Sequence, residues 1–195
     1  MPAKVHNLHA ALVKRAAAYG IGVSQTELDD EVPGEFDGPT IRLNKGYDSA
    51  QRAFYLAHSM GSIAEWSLHR DQTQQVFDEL RRAKQTSDKT RLARAVDAYL
   101  YFENRTWEFA AWLLADTGHE HFMEAFTSFG RADMEAMRLF HVTGQAPVWR
   151  DFFSDWNEQA RRGARILAPF AKRPVPTFQA IKIPKQEILQ EDGEG

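Results

Sequence analysis

The chain has 195 residues, 43% hydrophobic and 26% charged, which is the composition of a soluble globular protein with room for one substantial core. Its 24 basic and 27 acidic side chains leave a net charge of −3, so there is no general basic field for nucleic acid or an anionic membrane. Cysteine is absent, which excludes disulfides, thiol nucleophiles and Cys-based metal sites and suits a reducing cytoplasm.

In chain order, Val5, Leu8, Leu12, Val13 and Ala16 recur at helical spacing over 3–19, and Gly20 and Gly22 end that helix. Ile21-Gly22-Val23 reads as a short extended piece, Asp29-Asp30-Glu31 and Pro33-Gly34 as a turn, and Gly38-Pro39 as a second break. Thr40-Ile41-Arg42-Leu43-Asn44 alternates like a half-buried strand. Past a turn that Asp48 or Ser49 can cap, a helix is expected over 50–70, with Phe54, Ala57, Gly61 and Ala64 along one stripe. Helices over 73–85 and 90–114 follow, separated near Thr86-Ser87-Asp88, and Gly118 stops the second. Further helices are expected over 119–129, 131–142 and 147–167, with Gly130 and Gly144-Gln145-Ala146-Pro147 as breaks. Pro174, Pro176, Pro184 and the polar run Glu191 to Gly195 make 172–195 an extended or disordered arm. No run approaches the ~18 apolar residues of a membrane span, and Lys4, Lys14 and Arg15 interrupt any signal-peptide core. The expectation is a cytoplasmic protein with no membrane contact. Its expected fold class is α+β, mostly helical, with a small sheet in a domain over 1–117, a helical extension over 118–171 packed on it, and a tail over 172–195.

The 50–70 helix carries Arg52-x-Phe54-x-Leu56-Ala57-His58-Ser59-Met60-Gly61-Ser62. A zinc-protease helix of the HExxH kind sets two His one turn apart on one face, and the Glu beside the first works on the metal-bound water. Here His58 stands in the first place, Ser59 in the Glu place and Ser62 in that of the second His. Downstream, Glu103 precedes an F-A-x-x-L-L frame at Phe109-Ala110 and Leu113-Leu114.

With the strand that ends in Asn44, these residues resemble the ImmA/IrrE family. Its N-terminal domain is zincin-like: a strand ending in Asn precedes an R-F-x-L-A-H-E-x-G-H helix, and an E-x-E-A-[ND]-x-F-A-x-x-L-L helix brings the carboxylate ligand. The resemblance covers about residues 8–114. It implies His58 at the first metal-ligand position and Glu103 at the third. Ser59 and Ser62 replace the general base and the second His, Arg105 the second acid of the later helix, and Trp107 its Asn or Asp.

These departures decide what the resemblance implies for chemistry. A hydroxyl is a poor zinc ligand beside imidazole, and a catalytic zinc takes three protein ligands where His58 and Glu103 supply two. Serine cannot act as a general base near neutral pH without a partner to take its proton. The implied protein is therefore a degenerate zincin-like one with vestigial active-site positions His58, Ser59, Ser62 and Glu103, no catalytic residues and no cofactor. Family analogy makes it a regulatory or protein-binding module linked to bacterial or phage transcription or stress regulation. Two alternatives stay open: an active zinc metallopeptidase with a non-standard ligand set from His58, Glu103, Glu65 and His69, and an unrelated helical oligomerisation protein. Glu65 and His69 lie one turn apart, yet His69 is ~16 Å along the helix axis from His58, too far to share an ion. His119 and His121, beside Glu120, form a weaker cluster. The plain alternative for His58 is a core histidine hydrogen-bonded to Glu103 across the helix pair.

Trp149, Phe152, Phe153 and Trp156, at offsets 0, 3, 4 and 7, share a stripe on the 147–167 helix. Left uncovered by this chain, it is a surface for a protein partner or a homo-oligomer. Arg161, Arg162, Arg165, Lys172 and Arg173 follow and give a basic end suited to DNA contact, or to the negative end of a helix dipole.

Overall fold

The computed structural model describes residues 2–29, 32–37 and 40–145. The expected 147–167 helix, the 172–195 arm and the Trp149–Trp156 stripe lie outside the described residues. The elements are α1 (Pro2–Ala18), β1 (Gly22–Thr26), β2 (Gly34–Asp37), β3 (Thr40–Asn44), α2 (Ser49–Leu68), α3 (Arg70–Lys84), α4 (Lys89–Asp116), a 3-10 turn (Glu120–Phe122) and α5 (Met123–Thr143). The sheet order is β1-β3-β2, with β1 parallel and β2 antiparallel to the central β3. The fold is mostly helical α+β with a small mixed sheet, as its sequence leads one to expect.

The start of α2 is set by local chemistry. The Asp48 carboxylate accepts from the Ala50 and Gln51 N–H groups at 2.8 Å each, and Gln51 Oε1 accepts from the Asp48 N–H at 3.0 Å. That reciprocal capping box satisfies donors the first turn would leave open. Just upstream, Asn44 Nδ2 donates to the carbonyls of Leu28, Asp29 and Val32 at 3.1, 2.9 and 2.9 Å, while its Oδ1 accepts from the Gly46 N–H at 2.9 Å. One buried amide thus ties the loop after β1 to the turn that delivers α2.

Helix α2 is buried all the way round from Leu56 to Glu65, with α1, the sheet and α4 about it. Phe54 meets Phe126 and Phe129 of α5 edge-on at 5.3 and 5.6 Å, so α5 completes the same core as the front of the chain. A second core of Leu80, Ala83, Ala95, Val96, Tyr99 and Phe102 joins α3 to α4. Among the described residues no helix is long and apolar enough to cross a membrane.

Three sequence expectations need correction. Pro33-Gly34 does not close a turn but opens β2, whose Phe36 pairs with Ile41. The α2 helix stops at Leu68, and α3 starts at Arg70 after the single joint residue His69. Gly130 is not a break. It lies inside a continuous α5, where a Cβ would stand 2.8 Å from the Trp107 ring. Glycine here serves a close approach of helix to indole.

Gly61 plays the same part between α2 and α4, since a methyl there would overlap the Thr106 backbone carbonyl. Helix propensity alone favours Gly61→Ala by about 1 kcal/mol. The overlap is with backbone, which cannot rotate away, so the expected outcome is a net loss of about 1–3 kcal/mol. Urea unfolding checks this, and a stabilised variant would be incompatible with the α2–α4 crossing.

Candidate functional site

Helices α2 and α4 pack side by side and bring His58 Nε2 to 3.0 Å from Glu103 Oε2, with the two side chains 6% and 5% exposed. Residues 45 apart in sequence thus meet as a buried pair. The His58 ring stacks on Trp107 at 4.5 Å and 28°. Trp107 Nε1 in turn donates to Asp133 Oδ2 of α5 at 3.3 Å. Asp133 is fully buried and its Oδ1 has no hydrogen-bond partner. The Tyr99 hydroxyl, one turn before Glu103, donates to Met137 Sδ at 3.1 Å, and His141 meets the Tyr99 ring edge-on at 4.5 Å.

A pattern underlies these contacts. Tyr99, Glu103 and Trp107 recur every fourth residue on α4, and Asp133, Met137 and His141 do so on α5. Side chains four apart lie on one helix face, so the α4–α5 seam carries a polar ladder beneath the α2 imidazole.

Ser59 Oγ donates to the Tyr55 carbonyl of its own helix at 2.9 Å, the usual back-bond of a helical serine. Ser59 and Ser62 are both buried, at 1% and 8% exposure. Glu65 is engaged by Arg105, Nε to Oε1 at 2.7 Å, so this cation of α4 pairs with α2. His69 sits at the α2–α3 joint. The His119 and His121 rings lie 5.8 Å apart, with His119 Nδ1 3.3 Å from Thr117 Oγ1.

Among the described residues no three His, Asp or Glu side chains come together in a way that could hold a metal ion. His58 and Glu103 are two donors, bonded to each other and buried, whereas a catalytic zinc takes three protein ligands and keeps a fourth position open. The side chains present do not fit a catalytic zinc. The non-standard ligand set of the metallopeptidase alternative is not assembled either, because Glu65 faces Arg105.

Comparison with protein-family models, with curated proteins and with solved structures finds no match. The likeness to the ImmA/IrrE family therefore rests on the motif residues named above.

Burial governs the electrostatics. For His58, burial disfavours the imidazolium, but the Glu103 hydrogen bond, the Glu103 charge and then Asp133 outweigh it and leave the pKa above the ordinary 6.5. Asp133 is pushed up to about 7, first by burial, with His58 opposing, Glu103 adding and the Trp107 donor opposing. His141 is pushed down to about 4 by burial and then by Lys84, so it is neutral at pH 7. Glu65 is raised by burial in spite of Arg105. The site can hold one proton firmly between His58 and Glu103. Ser59, in the place of the general base, is held by its own helix, its hydroxyl donating to the Tyr55 carbonyl.

Sequence reasoning found His58 and Glu103 and missed Asp133, Tyr99 and the Glu65–Arg105 pair. The every-fourth-residue spacing of 99, 103 and 107 against 133, 137 and 141 was the available signal.

Proposed function

We propose that this chain is a catalytically degenerate zincin-like protein that acts as a regulatory or protein-binding module in the cytoplasm. The observation that carries the reading is the 3.0 Å contact between His58 and Glu103. The family resemblance requires those two positions to face each other across α2 and α4, and an arbitrary helical bundle does not. The remaining positions supply the degeneracy: serine at the base, serine at the second ligand, and a buried ion pair where an open metal position is needed. In place of chemistry, the pair fixes the register of α2 against α4, with the Trp107 and Tyr55 rings beside the imidazole. Recognition then falls to the outer helical surfaces, and family analogy points to a protein partner in bacterial or phage transcription or stress regulation.

Restoring the lost residues tests this. The Ser59→Glu, Ser62→His double variant is expected to bind one zinc per chain, read by metal analysis after dialysis and by competition with a chromophoric chelator. The wild type is expected to bind none. Ser62→His alone is a smaller change to the core. It should bind zinc more weakly, through His58, Glu103 and the imidazole introduced at position 62. Folded variants that gain no zinc would point to an unrelated helical protein. One zinc per wild-type chain, with peptide cleavage that a chelator abolishes, would favour the metallopeptidase alternative.

A further inference from the structure

The net charge of −3 hides a division within the chain. Residues 78–94, where α3 ends and α4 begins, carry six basic side chains against three acidic ones, while the rest of the chain carries 18 basic and 24 acidic. All three acids of this hairpin tip are engaged. Asp78 accepts from Arg81 at 3.1 Å, Asp88 caps α4 at the Thr90 and Arg91 N–H groups, and Glu79 holds Arg91 through both oxygens at 2.7 and 3.0 Å. The last contact ties α3 to α4, so the tip presents its charge from a fixed frame. Arg82, Lys89 and Arg94 are exposed and make no ion pair among the described residues.

Helix stability does not ask for this arrangement. The cations that close α3 suit its dipole, but Lys89 opens α4, where the dipole is already positive, and the first turn of α4 has no acid. Two turns past Arg94 stands Tyr101, 63% exposed, the most exposed large apolar side chain among the described residues. Arg94, Ala98 and Tyr101, at offsets 0, 4 and 7, share one face of α4, and the ring lies ~10 Å along the axis from Arg94.

We propose that the α3–α4 tip and this face of α4 bind single-stranded nucleic acid, the cations following phosphates and the Tyr101 ring stacking on an unpaired base. A polyanion matches the uncompensated charge. The bare ring beside it favours a strand with unstacked bases over a duplex or an acidic peptide, which offer it no free π-face. None of these residues is part of the His58–Glu103 site, so strand binding here and zinc binding by the restored variants are independent outcomes.

The probe is a fluorescein-labelled oligothymidylate of about 20 nucleotides, longer than one such surface spans, titrated with the full chain and followed by anisotropy. Binding is expected to weaken as salt rises from about 25 to 200 mM, and the triple variant Arg82→Gln, Lys89→Gln, Arg94→Gln should flatten the log–log salt slope by about 2, at about 0.7 per phosphate contact. Tyr101→Ala should weaken binding of the single strand about 5- to 150-fold at an unchanged slope, and leave binding of a duplex of the same length as it was. All four side chains are exposed, so these variants keep the fold. No binding at the lowest salt, or a triple variant with the wild-type slope, would overturn the proposal. So would a Tyr101→Ala variant that weakens both probes alike, or neither. Polyglutamate that displaces the probe as readily as unlabelled strand of equal charge would overturn it in favour of an acidic protein partner.

Discussion

Glu103→Ala is expected to cost about 3–5 kcal/mol of folding stability, because it strands the buried His58 without its partner. The pair is 3.0 Å long and almost fully enclosed, so water cannot replace the lost carboxylate. Replacing both partners at once, as in His58→Leu with Glu103→Leu, should cost far less, since a buried ion pair exchanged for apolar residues of similar volume is often close to neutral. Urea midpoints of the single and double variants give the coupling directly. The pH dependence follows from the sign of the shift. His58 is raised above 6.5 in the fold, so the stability it contributes is fully present below about 6.5 and lost as pH climbs through the folded value. Glu103→Ala should therefore be most damaging at slightly acid pH and converge on the wild type in alkali. A variant within about 0.5 kcal/mol of wild type at pH 6 would mean the contact carries no weight.

Trp107→Ala should be comparably severe, at about 3–5 kcal/mol. The indole is 1% exposed, stacks on His58, meets Phe126 at 5.0 Å and Phe129 at 5.7 Å, and closes on Gly130. Gly130 has no side chain with which to fill the space, so a cavity term adds to the lost burial. The indole N–H also donates the hydrogen bond that Asp133 Oδ2 accepts, and the second oxygen of that carboxyl is already without a partner. Asp133 is raised from 3.8 to about 7, which means the fold prefers it protonated. That preference is harmless below pH 3.8 and becomes a growing penalty as pH rises to about 7, up to about 4 kcal/mol at about 1.4 kcal/mol per tenfold. Losing the donor raises the penalty only where Asp133 is ionised. Trp107→Ala should hence be more damaging at pH 8 than at pH 5.5, measured by urea unfolding at both. A loss that does not vary with pH would assign Trp107 to packing alone.

The parts of the fold legible in the sequence are those where one force dominates. Alternation gave β3, a capping residue gave the start of α2, and the apolar run through Leu113 gave the length of α4. The His58–Glu103 meeting was legible through motif order, since spacing alone cannot bring residues 45 apart together. β2 was not legible because four residues with one large apolar side chain, Phe36, carry too little pattern to outweigh Pro33-Gly34. Gly130 misled for a related reason: glycine is a breaker by propensity, and only the Trp107 ring against it shows that tertiary packing overrides that. Asp133 was hidden because an acid in an amphipathic helix normally marks the solvent face, and here it marks the core. Arg105 was read as a lost acid, while its use, the pair with Glu65, depends on how α2 and α4 cross.

The most direct measurement is the protonation state of the His58 imidazole, followed by nitrogen NMR across the neutral range. If His58 and Glu103 form a charged pair, the ring titrates above 6.5 and Glu103→Gln brings the titration down. A ring that titrates at or below 6.5, or whose Nε2 shift is that of a metal-bound nitrogen, would contradict it.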